Sequence, residues 1–230
     1  MASSPPVLRM SWTDQPIFFV DFEGSRAAGI LEYGVATVVG GQVTEVRTRL
    51  CRAKGRISPE DTAVHGLTES VVEGAPPFSD DWDYFADLRE RGPLAAHYAG
   101  VENSLLKSVW PYPRASTNFA RPGERIIDWG PWVDTAALYH QLYPKLGTGK
   151  LESLVVATGR QHELDTLAAA NCPQTRRRYH AALYDALAGA VLLCALARDP
   201  QLAALSTTQL LALSALDGEK RDSLRQGELF

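Results

Sequence analysis

The stretch Ile17-Phe-Phe-Val-Asp-Phe-Glu constrains what this chain can fold into more than any other. Its aromatic and branched residues have the composition of a buried strand. Side chains in a strand alternate, so Phe19, Asp21 and Glu23 point one way while Phe18, Val20 and Phe22 point the other. A strand that is apolar on both faces is covered on both. Two carboxylates at i and i+2 near its end would repel each other and lose hydration unless a cation joins them. The bland alternative is that Asp21 and Glu23 only mark the exit of the strand into solvent at Gly24-Ser25.

Residues 30–39 and 42–51 read as two further strands joined by Gly40-Gly41, a two-residue hairpin signal. Helical periodicity then appears over 79–91 and 101–109, with a short strand at 94–97 between them. A proline-rich loop follows, and then helices over 134–143, 150–158, 179–198 and 201–215. The order predicts one α/β domain: a mixed sheet, made of a three-strand antiparallel meander plus short strands, flanked by helices. A length of 230 residues suits one such domain with a sizeable core. Residues 1–15 read as a loose lead-in, 16–216 as the domain and 217–230 as a polar tail.

Two helices repeat the anomaly of the first strand. Positions 102, 105, 106 and 109 follow a core-facing stripe, and Leu105, Leu106 and Val109 fill three of them, so Glu102 lies on the face turned inward. The competing reading is an acid in a first helical turn, favoured by the macrodipole. Asp185 stands among Ala181, Ala182, Ala188 and Gly189, a small-residue stripe that would let the helix approach a sheet closely. His180 is five positions earlier, about 140° away around an ideal helix, and is expected at the helix start, reaching the same cavity from its rim.

Composition excludes several classes. The formal charge of -4 supplies no global field for polyanions, so a nucleic-acid role needs local basic clusters or metal ions. Such clusters occur at Arg47, Arg49, Arg52, Lys54 and Arg56, and at Arg176, Arg177 and Arg178 just before His180; taken singly, each arginine reads as part of a solvated loop. The apolar stretch 187–196 is too short to span a bilayer, and residues 1–6 lack a signal-peptide pattern, so no membrane role is expected. Three widely spaced cysteines, Cys51, Cys172 and Cys194, fit reduced thiols in a cytoplasmic protein. Cys172 with His162 is a poor zinc site for want of a second ligand pair.

Asp21-Phe-Glu23, His97-Tyr-Ala-Gly-Val-Glu102 and His180-Ala-Ala-Leu-Tyr-Asp185 occur in the order and spacing of the three motifs of the DEDDh exonucleases, and the chain resembles that family from about 18 to 196. His65-Gly-Leu-Thr68 is similar to the family's loop after the meander. Asp134-Thr-Ala-Ala-Leu138, with Lys150-Leu-Glu-Ser-Leu154, is similar to its helix pair between the second and third motifs. The resemblance implies a ribonuclease H-like fold and 3′→5′ hydrolysis of DNA or RNA. The implied partner is a nucleic-acid 3′ end, single-stranded, and the products are 5′-nucleoside monophosphates. It implies two Mg²⁺ or Mn²⁺ ions held by Asp21, Glu23, Glu102 and Asp185, with His180 as general base. Imidazole suits that role because it changes protonation near neutral pH. His65 and Gly66 would seat the terminal nucleotide, and Arg176, Arg177 and Arg178 would grip backbone phosphates.

The chain departs from the family in three places. Glu102 stands where aspartate is usual, Gly24-Ser25-Arg26 where threonines are common, and Tyr98 where asparagine is commoner. Two alternatives stand beside this reading: a catalytically weak nucleic-acid-binding module, because of Glu102, or an accessory domain docking through its last helix. That helix, over 201–215, is a candidate either for packing on the domain or for a homodimer contact. The aromatics of the proline-rich loop, Trp110, Tyr112, Phe119, Trp129 and Trp132, are expected to pack that loop rather than to stack on bases.

Overall fold

The computed structural model describes residues 11–215. Strand β1 (Ile17–Ser25) pairs antiparallel with β2 (Gly29–Val39), and β2 with β3 (Gln42–Leu50). On its other edge β1 runs parallel to β4 (Leu94–Ala96). The two-residue strands β5 (Ser116–Thr117) and β6 (Arg125–Ile126) form a separate hairpin in the proline-rich loop. Strand β7 (Val133–Asp134) then joins β4 in parallel, so the main sheet has five strands in the order β3-β2-β1-β4-β7. This is the expected mixed sheet, with β1 at its centre.

Alternation along β1 sorts its side chains into two cores. Ile17 and Phe19 join the cluster under the C-terminal helices, and Phe18, Val20 and Phe22 join the aromatic cluster of Phe78, Phe85 and Trp110. Along the chain come α1 (Pro59–His65), α2 (Glu69–Val72), α3 (Trp82–Arg91), α4 (Ala99–Val109), α5 (Thr135–Leu142), α6 (Leu151–Ala157), α7 (Gln161–Asn171), α8 (Ala182–Leu196), α9 (Pro200–Ala203) and α10 (Thr207–Leu213). Helix α8 packs on β1, β2 and β3 and also against α6 and α7. Of its residues only Ala195 is not buried, which is why it shows no polar face.

Several boundaries differ from those the sequence suggests. The helix expected over 179–198 starts at Ala182, leaving His180 outside it. The one expected over 201–215 is two helices, because Ser206 starts α10 with a capping box shared with Gln209. Helix α1 is started by Ser58, whose hydroxyl accepts from the Asp61 amide, and by Pro59 in the first turn. Helix α7 is weakly patterned, since it buries only Leu164 and Ala168. Within the segment read as a lead-in, Trp12 is buried and its indole N–H donates to the Leu202 carbonyl at 2.8 Å. The packed part of the chain therefore already includes residues 11–15; residues 1–10 and the tail from 217 lie outside the described residues. No described helix is long and apolar enough to cross a membrane.

The approach of α8 to the sheet depends on two glycines. A Cβ on Gly34 of β2 would fall 2.3 Å from the Ala182 carbonyl oxygen, and one on Gly189 would fall 2.0 Å from the Phe19 ring. The Phe19 ring can turn aside, whereas the obstacle at Gly34 is helix backbone. Gly34→Ala should therefore cost about 3 kcal/mol, the upper end for an overpacked core, and Gly189→Ala should cost less. Urea unfolding checks this; equal stabilities for Gly34→Ala and the parent would refute the backbone contact.

Candidate active site

Register places the carboxylates. On β1, Asp21 lies opposite Gly34 and Glu23 opposite Glu32, and the pairing slips immediately after Glu23. Gly24 makes that slip possible: its φ is 139°, and a Cβ there would sit 2.2 Å from the Gly29 carbonyl oxygen. The bulge turns the chain away and leaves Asp21 and Glu23 at the mouth of the sheet.

Glu102 arrives from α4. Tyr98 precedes that helix in the left-handed conformation, with φ 61°. The Asp134 carboxylate accepts from the Tyr98 and Ala99 amides at 3.2 and 2.9 Å. It also accepts from Ala136 at 2.9 Å and Ala137 at 3.3 Å, so one side chain caps both α4 and α5. His97 fixes the same junction. Its Nε2 donates to the Gly149 carbonyl at 2.7 Å, which leaves Nδ1 to accept from the Thr135 hydroxyl at 2.9 Å. Glu102, Leu105 and Leu106 are buried together as the stripe predicts, and Glu102 Oε2 accepts the Phe22 amide at 3.1 Å. The extra methylene of glutamate thus reaches the backbone of β1 between Asp21 and Glu23.

Asp185 comes from the first turn of α8. Its Oδ2 accepts the His180 amide at 2.9 Å, while Oδ1 is buried with no partner. His180 has φ 61° and its side chain is exposed at the rim. Ligand atoms of Glu23, His180 and Asp185 lie within 4.8 Å of one another. The helical angle between His180 and Asp185 has no meaning here, because the left-handed residue turns the chain back before the helix begins.

Burial dominates the electrostatics. It pushes the Asp21 carboxyl well above the usual range, and the charges of Glu102, Asp185, Glu23 and Glu32 push it further. Burial, then Asp185 and Glu32, raises Glu23 to about 8, against the pull of Arg176 and Arg178. Glu102 rises to about 8 through burial and Glu23. Asp185 rises to about 7 through burial, with the His180 amide opposing. Carboxyls held this way resist ionisation until a cation enters. All the clustered donors except His180 are carboxylate oxygens and no thiol is near, which fits a hard divalent cation.

The remaining predicted residues are arranged less simply. His65 is buried on α1; its Nδ1 accepts from the Leu67 amide at 3.0 Å, so the neutral ring carries its proton on Nε2, which is buried without a partner. The Gly66 amide already has a partner, donating to the Thr62 carbonyl to close α1. Arg176 turns inward onto Glu32, and Arg177 donates to the Cys172 and Ala169 carbonyls at 3.0 and 2.8 Å, closing α7. Arg178 remains exposed beside Gly66, with one bond to the His65 carbonyl at 3.1 Å. Farther off, Arg47 and Arg49 both pair with Asp81, whereas Arg52, Lys54 and Arg56 stay exposed. In the proline-rich loop Trp110 and Trp129 are buried and Tyr112 is exposed.

Glu32 was not singled out by sequence, although it carries the signal that singled out Asp21: an acid inside the apolar run Ile30-Leu-Glu-Tyr33. Asp134 was visible only as part of the family resemblance. Its double cap depends on β4 and β7 being neighbours, which no local pattern encodes.

No family model matches the chain. The DNA polymerase III PolC-type of Thermotoga maritima is 24% identical over 163 residues, covering 67% of this chain, which spans only 11% of that protein's length. Among solved structures, Exonuclease X in complex with 5′ overhanging duplex DNA has a TM-score of 0.63 and 22% identity, over 86% of this chain and 99% of that one. The nuclease domain of 3′hExo, a DEDDh family member bound to rAMP, has a TM-score of 0.55 and 14% identity, over 81% and 93%. E. coli Exonuclease I in complex with a dT13 oligonucleotide has a TM-score of 0.58 and 13% identity, over 82% of this chain and 42% of that one. The structural neighbours are 3′–5′ exonucleases of the DEDDh family, and the chain has their ribonuclease H-like fold.

The raised carboxyls make stability depend on pH. Without a cation, the folded protein keeps protons that the unfolded chain loses above about pH 4. It releases them only at about 7 to 8. The folded state binds more protons across that window, so stability falls as pH rises through it. In EDTA, Tm should fall between about pH 5 and 8, and millimolar Mg²⁺ or Mn²⁺ should flatten the decline. A Tm that rises over this range in EDTA would contradict the burial of these groups.

Proposed function

We propose that the chain is a metal-dependent 3′→5′ exonuclease that hydrolyses phosphodiesters of DNA or RNA and releases 5′-nucleoside monophosphates from single-stranded 3′ ends. The observation that carries this reading is the clustering of Glu23, Asp185 and His180, with ligand atoms within 4.8 Å of one another, beside Asp21 and Glu102, whose carboxyls feel the same charges, and with Asp185 Oδ1 buried and unpartnered. Burying like charges together is costly unless cations bind among them. The fold shared with nucleases solved on duplex DNA, on dT13 and on rAMP supports it.

Asp21, Glu23, Glu102 and Asp185 would hold the metal, and the charges of Glu102, Asp185 and Glu23 all bear on Asp21. Two divalent cations bound there would polarise the attacking water and offset the charge of the phosphate and leaving oxygen. His180, exposed at the rim, would serve as the general base, from where an accepted proton can pass to solvent. Its amide bond to Asp185 ties the turn that carries the base to a candidate ligand. The Nε2–H of His65 has no protein partner and would reach the terminal nucleotide once binding uncovers it. Arg178 is the one of the three neighbouring arginines free enough to meet a backbone phosphate.

The test is a denaturing-gel time course with 3′- and 5′-labelled single-stranded DNA and RNA in Mg²⁺, Mn²⁺ or EDTA. A metal-dependent ladder shortening from the 3′ end is expected. Asp21→Ala should lower the rate by at least about 10²-fold, the scale of losing one electrostatic stabiliser, while leaving the fold intact. Binding without any product would favour a nucleic-acid-binding module. Near-parental rates in Asp21→Ala would reject this site.

A further inference from the structure

The mechanism above leaves one buried ion pair unused. Glu32 lies opposite Glu23 in the sheet and is 4% exposed. Arg176 meets it with two nitrogens: Nε donates to Oε1 at 3.2 Å and Nη2 donates to Oε2. The same guanidinium donates from Nη1 to the His65 carbonyl at 2.6 Å and from Nη2 to the His180 carbonyl at 3.4 Å. Glu32 Oε2 also accepts the amide of Ala182, the first residue of α8, at 3.1 Å.

These contacts enclose His180. Arg176 stands four residues before it and Ala182 two residues after it, and both end on the Glu32 carboxylate. The left-handed turn that carries His180 is thus pinned on both legs to the β2 residue beside Glu23. A buried charged pair is a poor way to gain stability, since desolvation offsets most of the attraction, and such pairs can instead fix a unique geometry. The planar guanidinium supplies the bidentate fork that this geometry needs, and an ammonium cannot.

We propose that Glu32 and Arg176 are positioning residues that hold the His180 turn so that its imidazole faces Glu23 and Asp185. Arg176 accordingly acts on the base and makes no contact with substrate. The inference rests on the exonuclease reading for its kinetic consequence, but not for its structural one.

The full chain is assayed as Arg176→Ala, Arg176→Lys and Glu32→Gln, with labelled oligonucleotide and Mn²⁺. Loss of positioning should lower kcat by about 10- to 100-fold, the scale of a small misplacement of a catalytic group, with KM little changed. Millimolar guanidinium should restore part of the rate to Arg176→Ala and none to His180→Ala. Arg176→Lys keeps the charge in place should the alanine variant fail to fold, and should show the same kcat loss in milder form. An unchanged kcat overturns the proposal. So does a raised KM at constant kcat, which would make Arg176 a phosphate contact. Should the parent show no turnover, the exonuclease reading falls, and NMR of ¹³C-labelled histidine rings decides this one separately. The His180 ring signal should shift or split in Arg176→Ala while those of His140 and His162 stay put; an unmoved His180 signal overturns the positioning role.

Discussion

The seating of α8 on β1 and β2 governs the rest of the molecule. At Gly34 the helix backbone comes so near the strand that no Cβ fits, and at Gly189 the helix admits the Phe19 ring. Because Gly34 is the cross-strand neighbour of Asp21, this contact also sets how near the start of α8 comes to the acids of β1. Asp185 sits in the first turn of that helix and His180 just before it, so a shift of α8 by one side-chain width would remove both from the cluster. The apolar residues around the helix stabilise it there, but glycine decides the distance.

Holding like charges together has local remedies. Glu102 takes the Phe22 amide and Asp185 takes the His180 amide, each a neutral donor to a buried carboxyl. Glu32 is treated differently: it receives Arg176 and the Ala182 amide, and so ties two loops while its charge is matched. Among the clustered carboxylates Asp185 Oδ1 is the buried atom without a partner, and burial raises Asp21, Glu23, Glu102 and Asp185 together. Stability has been given up at one point, as sites that bind charge require.

The basic residues follow the same division between structure and exposure. Arg47 and Arg49 are spent on Asp81, Arg177 on the end of α7, and Arg89 is fully buried, donating to the Gly130 and Thr117 carbonyls that shape the proline-rich loop. Clusters of arginine in the sequence therefore overstate the free positive surface. Only the neighbours in space separate a paired guanidinium from an exposed one.

Much of the architecture was legible because it rests on short-range alternation. The period of two in β1, the Gly40-Gly41 turn and the stripe through Glu102 each report burial within a few residues, and acids at apolar positions announced Asp21, Glu102 and Asp185. Position before a helix put His180 at the rim of the same cavity, and the family resemblance supplied its role as general base. What sequence alone left open is what depends on contacts far apart in the chain. The left-handed turn at His180, the pairing of Glu32 with Arg176 across 144 positions, and the shared cap of Asp134 on two helices exist only once the sheet brings their segments together. Side-chain periodicity records which face a residue shows to the core, whereas the direction of a charge and its partner are decided by where the backbone of another element comes to rest.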